Sequence, residues 1–495
     1  MKTSVDDKRR IFLRMVFVFL LLYGIEYILD GNIKLGTSVL DDFDFLYKFN
    51  NESFITAILE SGYKFRPVSN GIEWIVSNIC KGNVYLYGYI NLGLAAFTGT
   101  LVYILLFVEF KKEYFSIVGA LLYVFSRFSY YQITTHLGVM EWLCTTVTIV
   151  LVALLYKYIL TQESKYFYWG IFCFGVLALS HERYISLFPT MIFAWICSEK
   201  NKAIISAWVK PLLLCMVFAV IMILMNVFVT NIMMGTGGTP VETSTTFGTI
   251  QHFLKQGIGY LFGINSEEVY LSMISYSMYT WKAKWTVWIS IAMLIGIVIL
   301  SWYNIIGMSK EDRRKTIIIV ATAILCVGAL LFISAVTIRV ELRWMYAPYM
   351  IMVMTFIYLL NLATSKKIYR IKIVMVAVYT IAMMGFGVYC RRYYTNLYYW
   401  DIYDKGNAFV ESTYGRYGED AFKKSWIVIA DFEIASSWKD LLAQYDIDRK
   451  YNIKVKELAT LEELSDVKRW DDKTVLYWQN GEFVDITTVI PYILN

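Results

Sequence analysis

The chain has 495 residues, of which 58% are apolar and only 17% charged, with a formal net charge of +6. So much apolar surface cannot be hidden in one soluble core, which excludes an ordinary soluble globular protein. The absence of a basic stripe with interleaved aromatics excludes a nucleic-acid binder, and seven dispersed cysteines without a CxxC exclude a disulfide framework or zinc site.

The first predicted element is an apolar run over 11–29, preceded by Lys8-Arg9-Arg10. It is too long for the hydrophobic region of a signal peptide, and no small-x-small cleavage site follows, so it reads as a retained transmembrane helix. Beyond it lies Asp41-Asp42-Phe43-Asp44. Like charges at such spacing raise at least one carboxyl pKa, which suits Asp41 or Asp42 to general-base work near neutral pH. Asp41, Asp42 and Asp44 can equally hold a divalent cation through oxygen ligands, or form a solvated acidic loop. Two short amphipathic segments follow, at 53–61 and 67–80, with the character of interfacial helices. Pro67 presets the first turn of the second. Arg66, in Tyr63-Lys64-Phe65-Arg66-Pro67, stands at its positive end, where an anion or a lipid headgroup is welcome.

Further apolar runs at 86–109, 114–130 and 139–160 predict three more spans, the second interrupted near Arg127. His136 and Glu141 flank the outer end of the last, five residues apart and so roughly on one helix face. Spans at 166–182 and 184–198 meet at His181-Glu182-Arg183, a break in the apolar pattern. Charges there are costly, and mark either a polar cavity or an internal ion pair. After a span at 206–233, the stretch 234–283 opens with Gly235, Gly237, Gly238 and Pro240 as a flexible loop and carries His252. Spans at 284–306 and 316–336 lead to Arg339, Glu341 and Arg343, followed by Tyr346 and Pro348. Guanidinium groups clamp phosphate or pyrophosphate, although Glu341 can pair with them internally. The last two spans are 344–363 and 372–390.

Residues 391–495 read as a small α/β domain. Strands are predicted at 425–430 and 451–458, helices at 437–445 and 461–469, and a hairpin at 475–478 and 483–486 turned by Asn480-Gly481. The expected fold is therefore an all-α polytopic bundle of about eleven helices, with a transmembrane catalytic domain over 1–390 and this appendage. Lys and Arg collect in alternate loops, at Lys8 to Arg10, Lys111-Lys112, Lys157 with Lys165, Lys200 with Lys202, Lys310 to Lys315, and Lys366 to Lys372. By the positive-inside rule the N-terminus is cytoplasmic, and an odd number of spans puts the C-terminal domain outside. The acidic run, the arginines and all three histidines then share the outer face.

In this order the motifs resemble the GT-C glycosyltransferase superfamily, closest to its protein O-mannosyltransferase-like branch. The likeness rests on Val39-Leu40-Asp41-Asp42, Phe65-Arg66-Pro67-Val68, Tyr89-Ile90-Asn91-Leu92 and His136-Leu137-Gly138 through Glu141-Trp142-Leu143. Ala178-Leu179-Ser180-His181-Glu182 and Glu341-Leu342-Arg343-Trp344-Met345-Tyr346-Ala347-Pro348 complete it. His181 stands where the family has a lysine, and no tetratricopeptide array follows. The resemblance implies an integral protein of the plasma (inner) membrane that takes a sugar from a polyprenyl-phosphate donor. Transfer to a glycan, lipid or protein hydroxyl on the extracytoplasmic face would proceed with inversion. It implies Asp41 or Asp42 as base, with Asp44, Arg66, His136, Glu141, His181, Glu182, Arg183, Arg339, Arg343 and Tyr346 around the substrate, and membrane lipids as further partners. Two other readings stay open. A polysaccharide polymerase or ligase would not need the acidic run, and a transporter or glycolipid flippase would need polar residues near the bilayer midplane.

Overall fold

The computed structural model describes residues 5–30, 52–59, 65–80, 84–129, 138–197, 205–230, 246–266, 275–337, 340–362, 366–394, 424–430, 454–467 and 473–493, with isolated positions between them. Every predicted span contains a helix. Helix α1 is Val5–Asp30, and the interfacial pair α2 and α3 are Phe54–Leu59 and Pro67–Cys80. Then come α4 Val84–Phe110, α5 Glu113–Val124, α6 Gly138–Thr161, α7 Ser164–Ala178, α8 Phe188–Ile196 and α9 Ile205–Thr230. Helix α10, Phe247–Phe262, precedes α11 Trp281–Ile306, α12 Lys310–Val336, α13 Tyr346–Asn361 and α14 Lys366–Tyr394. Among the described residues, seven helices are long and apolar enough to cross a membrane. The protein is an integral membrane protein.

Three spans are shorter than the sequence indicates. Helix α5 stops at Val124, short of the expected 130, because the chain turns over Ser126–Ser129. Its last carbonyls turn toward a buried arginine of α14. Helix α7 ends at Ala178 and α8 begins only at Phe188, with a 3-10 turn, Glu182–Leu187, between them. At about 1.5 Å per residue none of these three crosses a hydrocarbon core of about 30 Å by itself. Conversely, α12 starts at Lys310, because Ser309 caps it by accepting the Asp312 amide at 3.2 Å.

Helix α6 is central and packs on α4, α7, α12 and α13. Aromatics fill the bundle. Tyr123 stacks on Tyr346 at 5.0 Å between ring centres, and Tyr158 stacks on Trp195 at 5.7 Å. Trp281, Trp285 and Trp288 stand exposed near one end of α11, with Trp302 and Tyr303 near the other. The two girdles lie roughly 25 Å apart along the helix, a spacing that suits the two membrane interfaces.

The C-terminal sheet has the order β2-β1-β3-β4, with β1 Ser425–Ile429, β2 Lys454–Leu458, β3 Thr474–Gln479 and β4 Glu482–Asp485. Strand β1 is parallel to both neighbours, and β3 with β4 forms the predicted hairpin. Asn480 and Gly481 both take positive φ, 54° and 86°, as a type I′ turn requires. The expected helix at 461–469 is only a 3-10 turn over Glu462–Asp466, and the one at 437–445 lies outside the described residues.

Candidate active site

Arg66 precedes α3, whose first turn is bound to the end of α7. The Val68 amide donates to Leu179 O at 3.2 Å, and Ser69 Oγ to Ser180 O at 2.9 Å. Those two bonds bring Arg66 against the turn that follows α7. Its guanidinium meets Glu182 as a fork, with Nε on Oε2 at 2.9 Å and Nη2 on Oε1 at 2.8 Å. The anion that the sequence places before Arg66 is therefore, in part, a carboxylate of the protein itself. Nη2 also lies 3.3 Å from His181 Nε2, and Nη1 lies 3.6 Å from Met140 Sδ.

His181 caps the 3-10 turn, its Nδ1 accepting the Arg183 amide at 3.3 Å. The same ring nitrogen lies 3.4 Å from Glu182 Oε2.

Two residues beyond His181, Arg183 donates to Glu141 Oε2 and its guanidinium lies 5.7 Å from the Trp344 ring centre. Glu141 is fully buried, as is Glu341. Arg343 Nε donates to Glu341 and lies 3.9 Å from Glu141 Oε1. Glu141 thus sits between two guanidinium groups. The result is one continuous buried array of Arg66, Glu182, His181, Arg183, Glu141, Arg343 and Glu341. Its formal charges balance, three cations against three carboxylates, yet Arg183 Nη1 has no hydrogen-bond partner among the described residues. Such an array in a membrane protein is held together at high desolvation cost, and charges kept on those terms usually carry function.

The structure brings together Arg66, Glu141, His181, Glu182, Arg183 and Arg343 from the sequence-derived set. Tyr346 lies three residues beyond Arg343, its ring stacked on Tyr123 and its hydroxyl donating to Tyr123 O at 3.2 Å. Asp41, Asp42, Asp44, His136 and Arg339 lie outside the described residues. Among the described residues no group of three or more His, Cys, Asp or Glu is set to hold a metal ion.

Sequence reasoning missed Glu73. This buried carboxylate, on α3, accepts the Met140 amide at 3.0 Å and the Tyr87 hydroxyl at 3.0 Å. Met140 is in the first turn of α6, so Glu73 supplies the acceptor that a helix N-terminus lacks. It thereby fixes the turn that carries Glu141. Glu26 and Asp30 of α1 and Arg391 of α14 were missed as well. The signal was present, since two acids four residues apart interrupt an apolar first helix.

No family model matches the chain, and no curated protein matches it in sequence. Among solved structures it is similar to the crystal structure of ArnT from Cupriavidus metallidurans bound to undecaprenyl phosphate. The two are 9% identical, and the superposition covers 92% of this chain and 87% of that one with a TM-score of 0.48.

Proposed function

We propose that the protein is a membrane-embedded glycosyltransferase of the GT-C kind that uses a polyprenyl-phosphate-linked sugar. The observation that carries this reading is the charged array. Six of its residues were singled out from sequence as the surroundings of a lipid phosphate, and they come from four separate segments to one buried place. Among the described residues, the buried charged side chains of the long apolar helices lie within about two turns of a helix end. That distribution suits a reaction at a membrane surface better than a path through the bilayer.

In this reading the sugar-bearing phosphate rests on Arg183, Arg343 and Arg66, with Arg183 Nη1 as an available donor. Asp41 or Asp42 takes the proton from the acceptor hydroxyl. The hydroxyl oxygen bonds to the anomeric carbon from the face opposite the phosphate, the carbon–oxygen bond to phosphate breaks, and configuration inverts. The arginines stabilise the charge that develops on the leaving phosphate. The positive loops in alternate connections support a reaction on the extracytoplasmic face, with the 391–495 domain on the same side. That domain is suited to meet the acceptor.

The test is donor consumption by purified protein offered polyprenyl-phosphate sugars. Asp41→Asn and Asp42→Asn are expected to include one variant slowed by about 10²–10⁴-fold with normal expression. Wild-type rates in both variants would remove the base from the scheme, and a protein that moves the glycolipid without forming product would replace the scheme by transport.

A further inference from the structure

A cleft separate from the charged array lies between α4, α6, α12 and α13. Along α6 it begins at Val150, more than two turns past Glu141, and runs to Ile159 near the other end of the helix. That is roughly 14 Å of helix. Its volume is about 310 Å³, and almost all of the side chains that line it are apolar. Ile104, Leu105, Val152, Ala153 and Met354 line it and remain half-buried, so their uncovered surface forms its wall. Two hydroxyls of the wall are spent on their own helices. Thr322 Oγ1 donates to Ile318 O and Thr355 Oγ1 to Ile351 O, each at 2.7 Å. The interior therefore suits hydrocarbon rather than a polar ligand.

Polar groups gather at one end of the cleft. Glu109 accepts the Tyr156 hydroxyl at 3.0 Å and pairs with Lys157, whose side chain is 37% exposed. Tyr166 stands beside them, with Lys165 Nζ 4.9 Å from its ring centre. The start of α12 lies at this end too. Thr316 Oγ1 is 2.9 Å from the Tyr358 hydroxyl, and the Tyr358 ring is 5.4 Å from that of Tyr156. Glu109 and Glu163 balance Lys157 and Lys165. Helix α12, however, opens with four cations from Lys310 to Lys315 against Glu311 and Asp312, so this end is net positive.

The depth of the cleft matches one leaflet, about half of a hydrocarbon core of about 30 Å. An apolar void facing lipid is filled by hydrocarbon, not by water. We propose that the cleft binds an anionic glycerophospholipid from the leaflet at this end. One acyl chain lies between α4, α6 and α12, and the headgroup phosphate meets Lys157 at the mouth. The Lys157 ammonium has three N–H donors, so the Glu109 pair leaves donors for a phosphate oxygen. Basic groups at the membrane surface favour an anionic headgroup over a zwitterionic one. This site is distinct from the array around Glu141 and does not depend on the transferase reading.

The test strips lipid from the full-length protein in neutral detergent. It then adds phosphatidylglycerol, phosphatidylcholine or diacylglycerol of one acyl length, and follows binding by native mass spectrometry and thermal unfolding. One phosphatidylglycerol per chain is expected, bound at least about fivefold more tightly than phosphatidylcholine. Ala153→Phe places a ring where methylenes lie and should weaken phosphatidylglycerol by at least about tenfold. The same ring fills the empty cleft, so the lipid-free variant should melt no lower than lipid-free wild type. Lys157→Gln should weaken phosphatidylglycerol by about fivefold and leave diacylglycerol, which has no phosphate, unchanged. Wild-type retention of phosphatidylglycerol by A153F overturns the proposal, as does equal binding of phosphatidylglycerol and phosphatidylcholine. Preference of the same cleft for a polyprenyl phosphate, blocked by A153F, overturns the assigned occupant. If A153F does not fold, Ala153→Leu takes its place, and unchanged binding by it and by K157Q overturns the site. Lipid binding without any glycosyl transfer leaves this site standing and counts against the transferase reading alone.

Discussion

Replacing Arg66 and Glu182, singly and together, separates what their pair does for the fold from what it does for the reaction. Their side chains are 15% and 5% exposed and joined by two charge-assisted hydrogen bonds of 2.9 and 2.8 Å. Removing Glu182 alone leaves a guanidinium in a largely dry site whose other close partners are a histidine ring nitrogen and a thioether. The expected cost for Glu182→Met is about 3–5 kcal/mol, and Arg66→Met, which strands the carboxylate, should cost a similar amount. The double variant leaves no uncompensated charge and fills the volume with apolar atoms, so it should be more stable than either single variant, with a coupling of about 2–3 kcal/mol. Unfolding of purified protein in mixed micelles measures all four corners of the cycle. Transfer activity should not follow stability. In the proposed mechanism the loss of Arg66 removes one cation facing the donor phosphate, and the double variant should remain slower than wild type by about 10²–10³-fold. Additive destabilisation would show that the pair is not the buried unit described above. Activity restored together with stability would show that Arg66 serves the fold alone.

Two further outcomes follow from other parts of the molecule. Glu73→Ala removes the acceptor for the Met140 amide and the Tyr87 hydroxyl. It should destabilise by about 1–3 kcal/mol, read by thermal unfolding, and lower transfer by loosening the turn that carries Glu141. In the C-terminal domain, burial tends to raise the pKa of Asp485, but hydrogen bonds from Thr487 and Tyr417 outweigh it and hold the carboxyl below its usual value. A carboxyl depressed in the folded state stabilises above its ordinary pKa, near 4, and that contribution is lost as pH falls through the lower folded value. Hydrogen-exchange protection in β3 and β4 of the full chain, corrected for the intrinsic rate, should therefore fall below about pH 4, and Asp485→Asn should flatten that dependence while lowering protection at neutral pH. An identical acid profile in the variant would reassign the effect to other carboxylates.

The sequence alone determined the features that depend on neighbouring residues. An apolar run of bilayer length can satisfy its backbone only as a helix, so the spans followed from composition. Asn480-Gly481 specified its hairpin because both positions need positive φ. The residues around the array could be named in advance because charges at the ends of apolar helices are conspicuous. Which charge meets which was decided by the tertiary structure. Arg66 and Glu182 are 116 positions apart, and Arg391 and Glu26 are 365 apart. No local period encodes such pairs, and they form only when several helices enclose them away from water. The same enclosure ended α5 at Val124, where Arg391 takes the last carbonyls, and broke the chain between α7 and α8, where His181 and Arg183 turn inward. Those breaks are long-range hydrogen bonds overriding local helical preference, and a hydropathy pattern holds no record of them.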